Sequence, residues 1–204
     1  PIFATMIVLG SASRGVFGHI ALGSVTDWLL HSSAFPLALA TRGFRSGPGG
    51  RVTRVTVAYG GSETDDLVAA AGIVAGRMGA TLRLASFAVR PPPPTTTRFR
   101  VEEEEVVADW VADVAAAAQK AIQQAKDLHP IPDPLEVVIG YGEDWDEALD
   151  DIEWQEGDVL AVGSSSVGLA AQVFLGSRAG KIVRHSPVPV VVVPRAAAKE
   201  LADQ

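Results

Sequence analysis

The residues whose types and spacing could do chemistry are Gly163-Ser164-Ser165-Ser166-Val167-Gly168, with Gly176-Ser177 following. They come directly after the run Asp158-Val159-Leu160-Ala161-Val162, so the block reads as a strand, a glycine- and serine-rich turn, and a helix. Such a turn exposes backbone N–H groups at a helix N-terminus, where unpaired donors and the helix dipole favour an anion such as phosphate. Serine hydroxyls can also donate to phosphate oxygens. A P-loop is excluded, because it needs a lysine followed by Ser or Thr after its glycines. A dinucleotide-binding fingerprint follows the first strand of its domain, whereas Gly163 follows the fourth predicted strand from Arg54 and has a different spacing. The plainer reading is that Gly163 and Gly176 only make turns and tight helix packing. The residues by themselves leave both readings open.

No catalytic constellation emerges. His31 and His185 are read as helix C-terminal residues that suit the dipole rather than as general bases. His129 precedes Pro130, and His19 has no partner at metal-ligand spacing. Asp144, Asp146, Glu147, Asp150, Asp151 and Glu153 are crowded in sequence, but helical spacing spreads them over a solvated face. Trp110, Trp145 and Trp154 read as packing anchors, since no basic groove accompanies them.

The elements that must position the glycine turn occur twice. Gly10-Ser11-Ala12-Ser13-Arg14-Gly15 aligns without a gap on Gly163 to Gly168, Leu22-Gly23-Ser24 on Leu175-Gly176-Ser177, Pro36 on Pro189 and Arg42 on Arg195. A repeat at this separation implies a duplicated domain rather than a solenoid, whose period runs to roughly 20–50 residues.

The chain of 204 residues is 48% hydrophobic and 20% charged, enough to bury a core. It has no cysteine, so disulfides and thiolate metal sites are excluded and a reducing, cytoplasmic setting is the expectation. No basic segment precedes an apolar stretch at the N-terminus, and no apolar run approaches the roughly 18–20 residues of a membrane span. A net charge of −7 without basic clusters argues against nucleic acid as a partner.

In chain order, Met6 to Leu9 reads as a strand, Val25 to Leu30 lie in a helix, and Phe35 to Ala40 form a second strand. A glycine-rich linker follows. Arg54 to Tyr59 is a strand, Asp65 to Met78 a helix with one buried face stopped by Gly79, and Thr81 to Val89 a strand. The segment 91–97 reads as a stiff polyproline loop. Glu102 to Glu105 open a long alanine-rich helix ending near Leu128. Leu135 to Gly140, a short helix at 144–152 and Val159 to Val162 complete the alternation before the glycine turn. Strands alternating with helices, and apolar strands such as Val190 to Val193, predict a parallel sheet covered on both faces. Ligands in such sheets sit beyond the C-terminal strand edge, where Gly163 lies.

The block from Val162 to Ser177 followed by His185-Ser186-Pro187-Val188-Pro189-Val190-Val191-Val192-Val193-Pro194 resembles the universal stress proteins. So do Val55-Thr56-Val57-Ala58-Tyr59-Gly60-Gly61-Ser62 and the Gly79 to Leu82 turn. The resemblance implies an α/β fold, a five-stranded parallel sheet sandwiched by helices. It divides the chain into the last part of a first module (1–45), a linker (46–51), a complete second module (52–196) and a tail (197–204). Modules in the family pair through their last strands, which sets Phe35 to Ala40 beside Val188 to Val193, as a module–module or homodimer contact. The resemblance implies a non-catalytic stress-response module. Its expected ligand is ATP or another adenine nucleotide, with magnesium accompanying it. The implied binding residues are Gly60, Phe87, Val162, Gly163, Ser166, Gly176, Ser177 and Arg178, and more weakly Gly10, Ser13, Gly23 and Ser24 of the partial copy. Two departures matter. The ATP-binding pattern is similar to Gly-x2-Gly-x9-Gly-(Ser/Thr) with an acidic residue closing the first strand, whereas here Ser166 holds the second glycine position and Gly60 the acidic one. The alternative they favour is a nucleotide-free, dimerising interaction module of the same fold with a protein partner still unknown.

Overall fold

The computed structural model describes residues 5–47, 49–89, 100–129, 131–132, 135–164 and 175–203, with side chains in the helix at 100–128 described from residue 112 onward. The loop at 91–97, the positions Ser165 to Gly168 that include Ser166, and the side chains of Glu102 to Glu105 and Trp110 lie outside the described residues.

The partial copy supplies β1 (Ile7–Leu9), α1 (Ser24–Ser32) and β2 (Leu37–Leu39). From Arg54 the chain alternates through β3 (Arg54–Ala58), a short 3-10 turn (Ser62–Thr64), α2 (Asp65–Met78) and β4 (Thr81–Val89). Then come α3 (Arg100–Leu128), β5 (Leu135–Gly142), α4 (Trp145–Asp150), β6 (Asp158–Ser164), α5 (Ser177–His185), β7 (Val190–Pro194) and α6 (Arg195–Ala202). α2 forms where the apolar spacing predicts it. Asp65 and Asp66 sit in its first turn, and Gly79 ends it in the left-handed conformation at φ 65°. Residues read as a tail belong to α6, which lies along α2 and buries Ala198.

The expected five-stranded sheet needs correction: among the described residues the sheet has seven strands, in the order β1-β2-β7-β6-β3-β4-β5. The five strands from Arg54 onward are parallel to one another. The extension exists because β7, ending there, would leave a row of unpaired N–H and C=O groups on its outer side. β2 takes that edge antiparallel, with Leu37 opposite Val192 and Leu39 opposite Val190, and β1 adds parallel to β2.

Alternate side chains along each strand feed two cores, one per face. Leu160, Val162, Val190 and Val192 pack with Leu30, Leu149, Ile182 and Val183 beneath α1, α4 and α5. Val55, Val57, Leu82, Leu84 and Ala161 pack with Leu67, Val68, Ala121 and Ala125 beneath α2 and α3. Because Leu30, Leu37 and Leu39 belong to the first of these clusters, the partial copy shares a core with the complete module.

The N-terminal edge of the sheet carries a buried ion cluster. Arg54 grips Asp158 with Nε at 2.9 Å from Oδ1 and Nη2 at 2.6 Å from Oδ2. Arg83, 1% exposed, donates to Thr56 Oγ1 at 3.1 Å and to the Glu153 carbonyl at 2.7 Å, with its guanidinium 4.8 Å from the Trp154 ring centre. Burial, followed by the Arg54 charge, pushes the Arg83 pKa down against the opposing pull of Asp158. Trp154 anchors as expected, its indole N–H donating to the Leu149 carbonyl at 2.7 Å.

Candidate functional site

At the opposite, C-terminal edge a cleft of about 580 Å³ opens between the ends of β3, β4 and β6 and the start of α5. Its donor wall is built by α5. Gly176 precedes the helix at φ −57° and ψ 157°, and among the described residues no side chain caps it. The Gly180 N–H closes the first helical bond onto the Gly176 carbonyl at 2.8 Å. The N–H groups of Ser177, Arg178 and Ala179 thus precede the first acceptor the helix offers, and these three residues line the cleft. With the positive end of the helix dipole they make an anion-favouring wall.

The floor comes from sheet ends. Val162 and Gly163 close β6, and Phe87, 3% exposed, lies near the end of β4. β3 ends at Ala58, after which Tyr59 N–H donates to the Ala85 carbonyl at 2.8 Å and the chain turns through Gly60 and Gly61. Gly61 sits at φ 113°, a conformation that favours glycine. Gly60 is not in that region; a Cβ placed there meets nothing closer than the Thr64 methyl at 4.0 Å. Arg178 crosses the cleft, its Nη2 donating to the Phe87 carbonyl at 3.2 Å.

The structure therefore brings Gly60, Phe87, Val162, Gly163, Gly176, Ser177 and Arg178 to one cleft, while Ser166 lies outside the described residues. Gly10, Ser13, Gly23 and Ser24 are not among its lining residues. Their loop is closed on itself: Ala12 N–H donates to the Ala21 carbonyl at 2.9 Å, Ala21 N–H donates to Ser11 Oγ at 2.8 Å, and Arg42 donates to the Gly15 carbonyl. Sequence reasoning missed Tyr59, Glu63 and Thr64 in the turn after β3, Ser86 on β4, and Asp113 on α3. The turn residues were legible as the segment closing the first strand. Asp113 had no such signal, since it reaches the cleft only through the way α3 crosses the sheet.

Behind the cleft, burial pushes the Tyr59 hydroxyl pKa up, followed by the charge of Asp65 and the hydrogen bond to it. Asp65 is raised as well, first by burial and then by Asp66, against the Tyr59 hydrogen bond and Lys120, which pull it down. His185 stands at the far end of α5, its Nδ1 2.7 Å from Asp146 Oδ1, about eight residues or ~12 Å along the helix from Ser177. Among the described residues no group of three or more His, Asp or Glu side chains is placed to hold a metal.

The family model described as the universal stress protein family matches residues 51–194. The chain belongs to the universal stress protein family. Universal stress proteins of Mycobacterium bovis and Mycobacterium tuberculosis are each 37% identical to it over 193 residues, which is 94% of this chain and 64% of theirs. The chain thus spans less than two thirds of the length of these curated relatives. Among solved structures, a universal stress protein from Archaeoglobus fulgidus superposes with TM-score 0.54 at 26% identity, covering 94% of this chain and 62% of that one. A protein from Pseudomonas aeruginosa described as a universal stress protein shares the fold with TM-score 0.52 at 17% identity, over 98% of this chain and 68% of its own. Set against the family's ATP-binding pattern, this universal stress protein keeps Gly163, Gly176 and Ser177 at the cleft and has Gly60 where the acidic residue belongs. No helix among its described residues is long and apolar enough to cross a membrane.

Proposed function

We propose that this universal stress protein is a non-catalytic module that binds ATP or another adenine nucleotide in the cleft between β6 and α5. The observation that carries the reading is the α5 N-terminus, which no side chain among the described residues caps, facing with Ser177 the same cleft as the apolar floor of Phe87 and Val162. Phosphates take the Ser177, Arg178 and Ala179 N–H groups, and the base lies over the floor. Magnesium comes with the nucleotide, held chiefly by its phosphates. Among the described residues the cleft pairs no nucleophile with a base, which favours binding over turnover. The lack of cysteine suits a cytoplasmic setting. Isothermal titration with ATP, with and without magnesium, tests the reading. Saturable binding that weakens at least tenfold in Gly176→Val or Ser177→Ala supports it, with phosphate release at background. No heat at millimolar ATP overturns it and leaves the nucleotide-free interaction module.

A second reading concerns assembly. The repeat equates β1 with β6 and β2 with β7, and the antiparallel β2–β7 pairing relates the two copies by an approximate two-fold. In the complete copy, β6 is flanked by β3 and covered by α2. Among the described residues no strand pairs with the equivalent edge of β1, and an apolar groove of about 490 Å³ adjoins it, with Met6 43% and Val8 73% exposed. A strand and helix of the β3–α2 kind, from a second module of this fold, fit that edge. The chain is then part of a tandem pair whose first module is represented here by residues 1–45. Sedimentation of wild type with a second module, against Val8→Asp, checks this; association that Val8→Asp leaves intact rules it out.

A further inference from the structure

We propose that Arg178 is the residue that makes the cleft select phosphorylated nucleotides over nucleosides, because its guanidinium occupies the Phe87 carbonyl, a sheet-end acceptor within reach of a base in the cleft. This inference rests on the nucleotide reading of the cleft. Residues facing β3 alternate along β4, and Ala85, the last in register with β3, gives its carbonyl to the Tyr59 N–H. The next carbonyl on that edge is Phe87, two residues on, where β3 has already turned away through Gly60 and Gly61. That carbonyl lies beyond the end of its partner strand at the cleft, and Arg178 supplies it a donor from across the cleft at 3.2 Å.

A purine laid over Phe87 and Val162 meets that carbonyl with its exocyclic amino group, so base and guanidinium compete for one acceptor. The two ends of the ligand are coupled as a result. Arg178 is the second residue of α5, and its own N–H is among those of the anion wall. Once displaced from Phe87, the guanidinium lies where phosphate oxygens collect and regains charge-assisted bonds there. A nucleoside displaces Arg178 and offers it nothing in return. A nucleotide displaces it and supplies the replacement partner.

The experiment is competition titration of wild type, Arg178→Ala and Arg178→Lys with ATP, adenosine and tripolyphosphate, each variant first checked for an unchanged Tm. In Arg178→Ala, adenosine should bind about fivefold tighter and tripolyphosphate about tenfold weaker, so the preference for ATP over adenosine collapses. Arg178→Lys, which keeps the charge but cannot match the planar fork, should restore part of the tripolyphosphate binding. Adenosine affinity that is unchanged or reduced in Arg178→Ala, while ATP still binds wild type, overturns the role of Arg178 and leaves the nucleotide reading standing. Failure of ATP and tripolyphosphate to bind any of the three proteins overturns both.

Discussion

Gly60→Asp should turn this cleft into a tighter nucleotide site. The substitution restores a carboxylate where the family's ATP-binding members close their first strand with an acidic residue. A Cβ at Gly60 has its nearest neighbour at 4.0 Å, in the Thr64 methyl, and the backbone is outside the left-handed region, so the change carries no steric or conformational cost. The Gly60 N–H to Thr64 Oγ1 contact at 3.4 Å is a backbone one and survives it. A charged acceptor for ribose hydroxyls is worth about 1.5–3 kcal/mol. Glu63 and Asp113 line the same cleft and repel the added charge, at roughly 1 kcal/mol for a pair about 4 Å apart in water. That repulsion is present with and without ligand and so costs stability rather than affinity, which leaves a gain of about 1.5–3 kcal/mol, or roughly tenfold to a hundredfold in Kd, that should shrink rather than grow with salt. Titration with ATP measures it, with Gly60→Asn as the uncharged control of the same shape. Wild-type binding that is unchanged or weakened in Gly60→Asp refutes the argument that the missing carboxylate is what limits affinity.

Two further predictions concern the scaffold. Asp158→Ala leaves the Arg54 and Arg83 guanidinium groups buried beside an empty partner position, their side chains 15% and 2% exposed. Removing one partner of such a cluster costs about 3–5 kcal/mol, a Tm loss of roughly 6–20 °C for a chain of this size. Calorimetry checks it, and a loss under 2 °C counts against the cluster as a stabilising element. Asp65→Asn should raise Tm at pH 7. The Asp65 carboxyl is held above its ordinary value of 3.8, first by burial. The native state therefore binds that proton more tightly than the unfolded chain does. Its contribution is full below 3.8 and is lost as pH rises through the native value. The advantage of the Asn variant should accordingly shrink on acidification, and a lower Tm than wild type at pH 7 contradicts the reasoning.

The parts of this fold that were legible in the sequence are those specified locally. α2 has one apolar face, acidic residues in its first turn and Gly79 at its end, and it forms at 65–78 as the spacing predicts. The glycine turn announced the donor wall because Gly176 and Ser177 carry their chemistry in the backbone, which needs only a helix start. That β1 and β2 extend the same sheet was not legible from the residue pattern alone, and only the family resemblance set Phe35 to Ala40 beside Val188 to Val193. β2 reads as a strand by itself, but whether its partner is β7 of the same chain depends on a long-range edge that Val190 to Val193 leave open. Asp113 was hidden for the same reason. Its place on α3 is local, while its place at the cleft is set by how a long helix crosses strands distant in sequence.

The two edges of the sheet divide the work, and this bears on how the cleft can be tested. Asp158 and Ser164 bound the same strand, β6, so the ion cluster and the cleft stand about 20 Å apart along it. At the first edge, Asp158 and Arg83 are buried and Arg54 is half-buried, with Arg54 bonded to Asp158 and Arg83 to Thr56 and the Glu153 carbonyl, so changes there are read as stability. At the second, Gly60, Ser177 and Arg178 are exposed, so truncating or extending them removes little buried area. Sites this far apart without shared partners combine additively. Binding changes from Gly60, Ser177 and Arg178 should therefore persist undiminished in a background destabilised at Arg83, provided the protein is folded at the assay temperature. Coupling between the two sets of substitutions would show that the cleft is shaped by the ion cluster through β6, and the loop substitutions could then no longer be read as local changes in ligand contact.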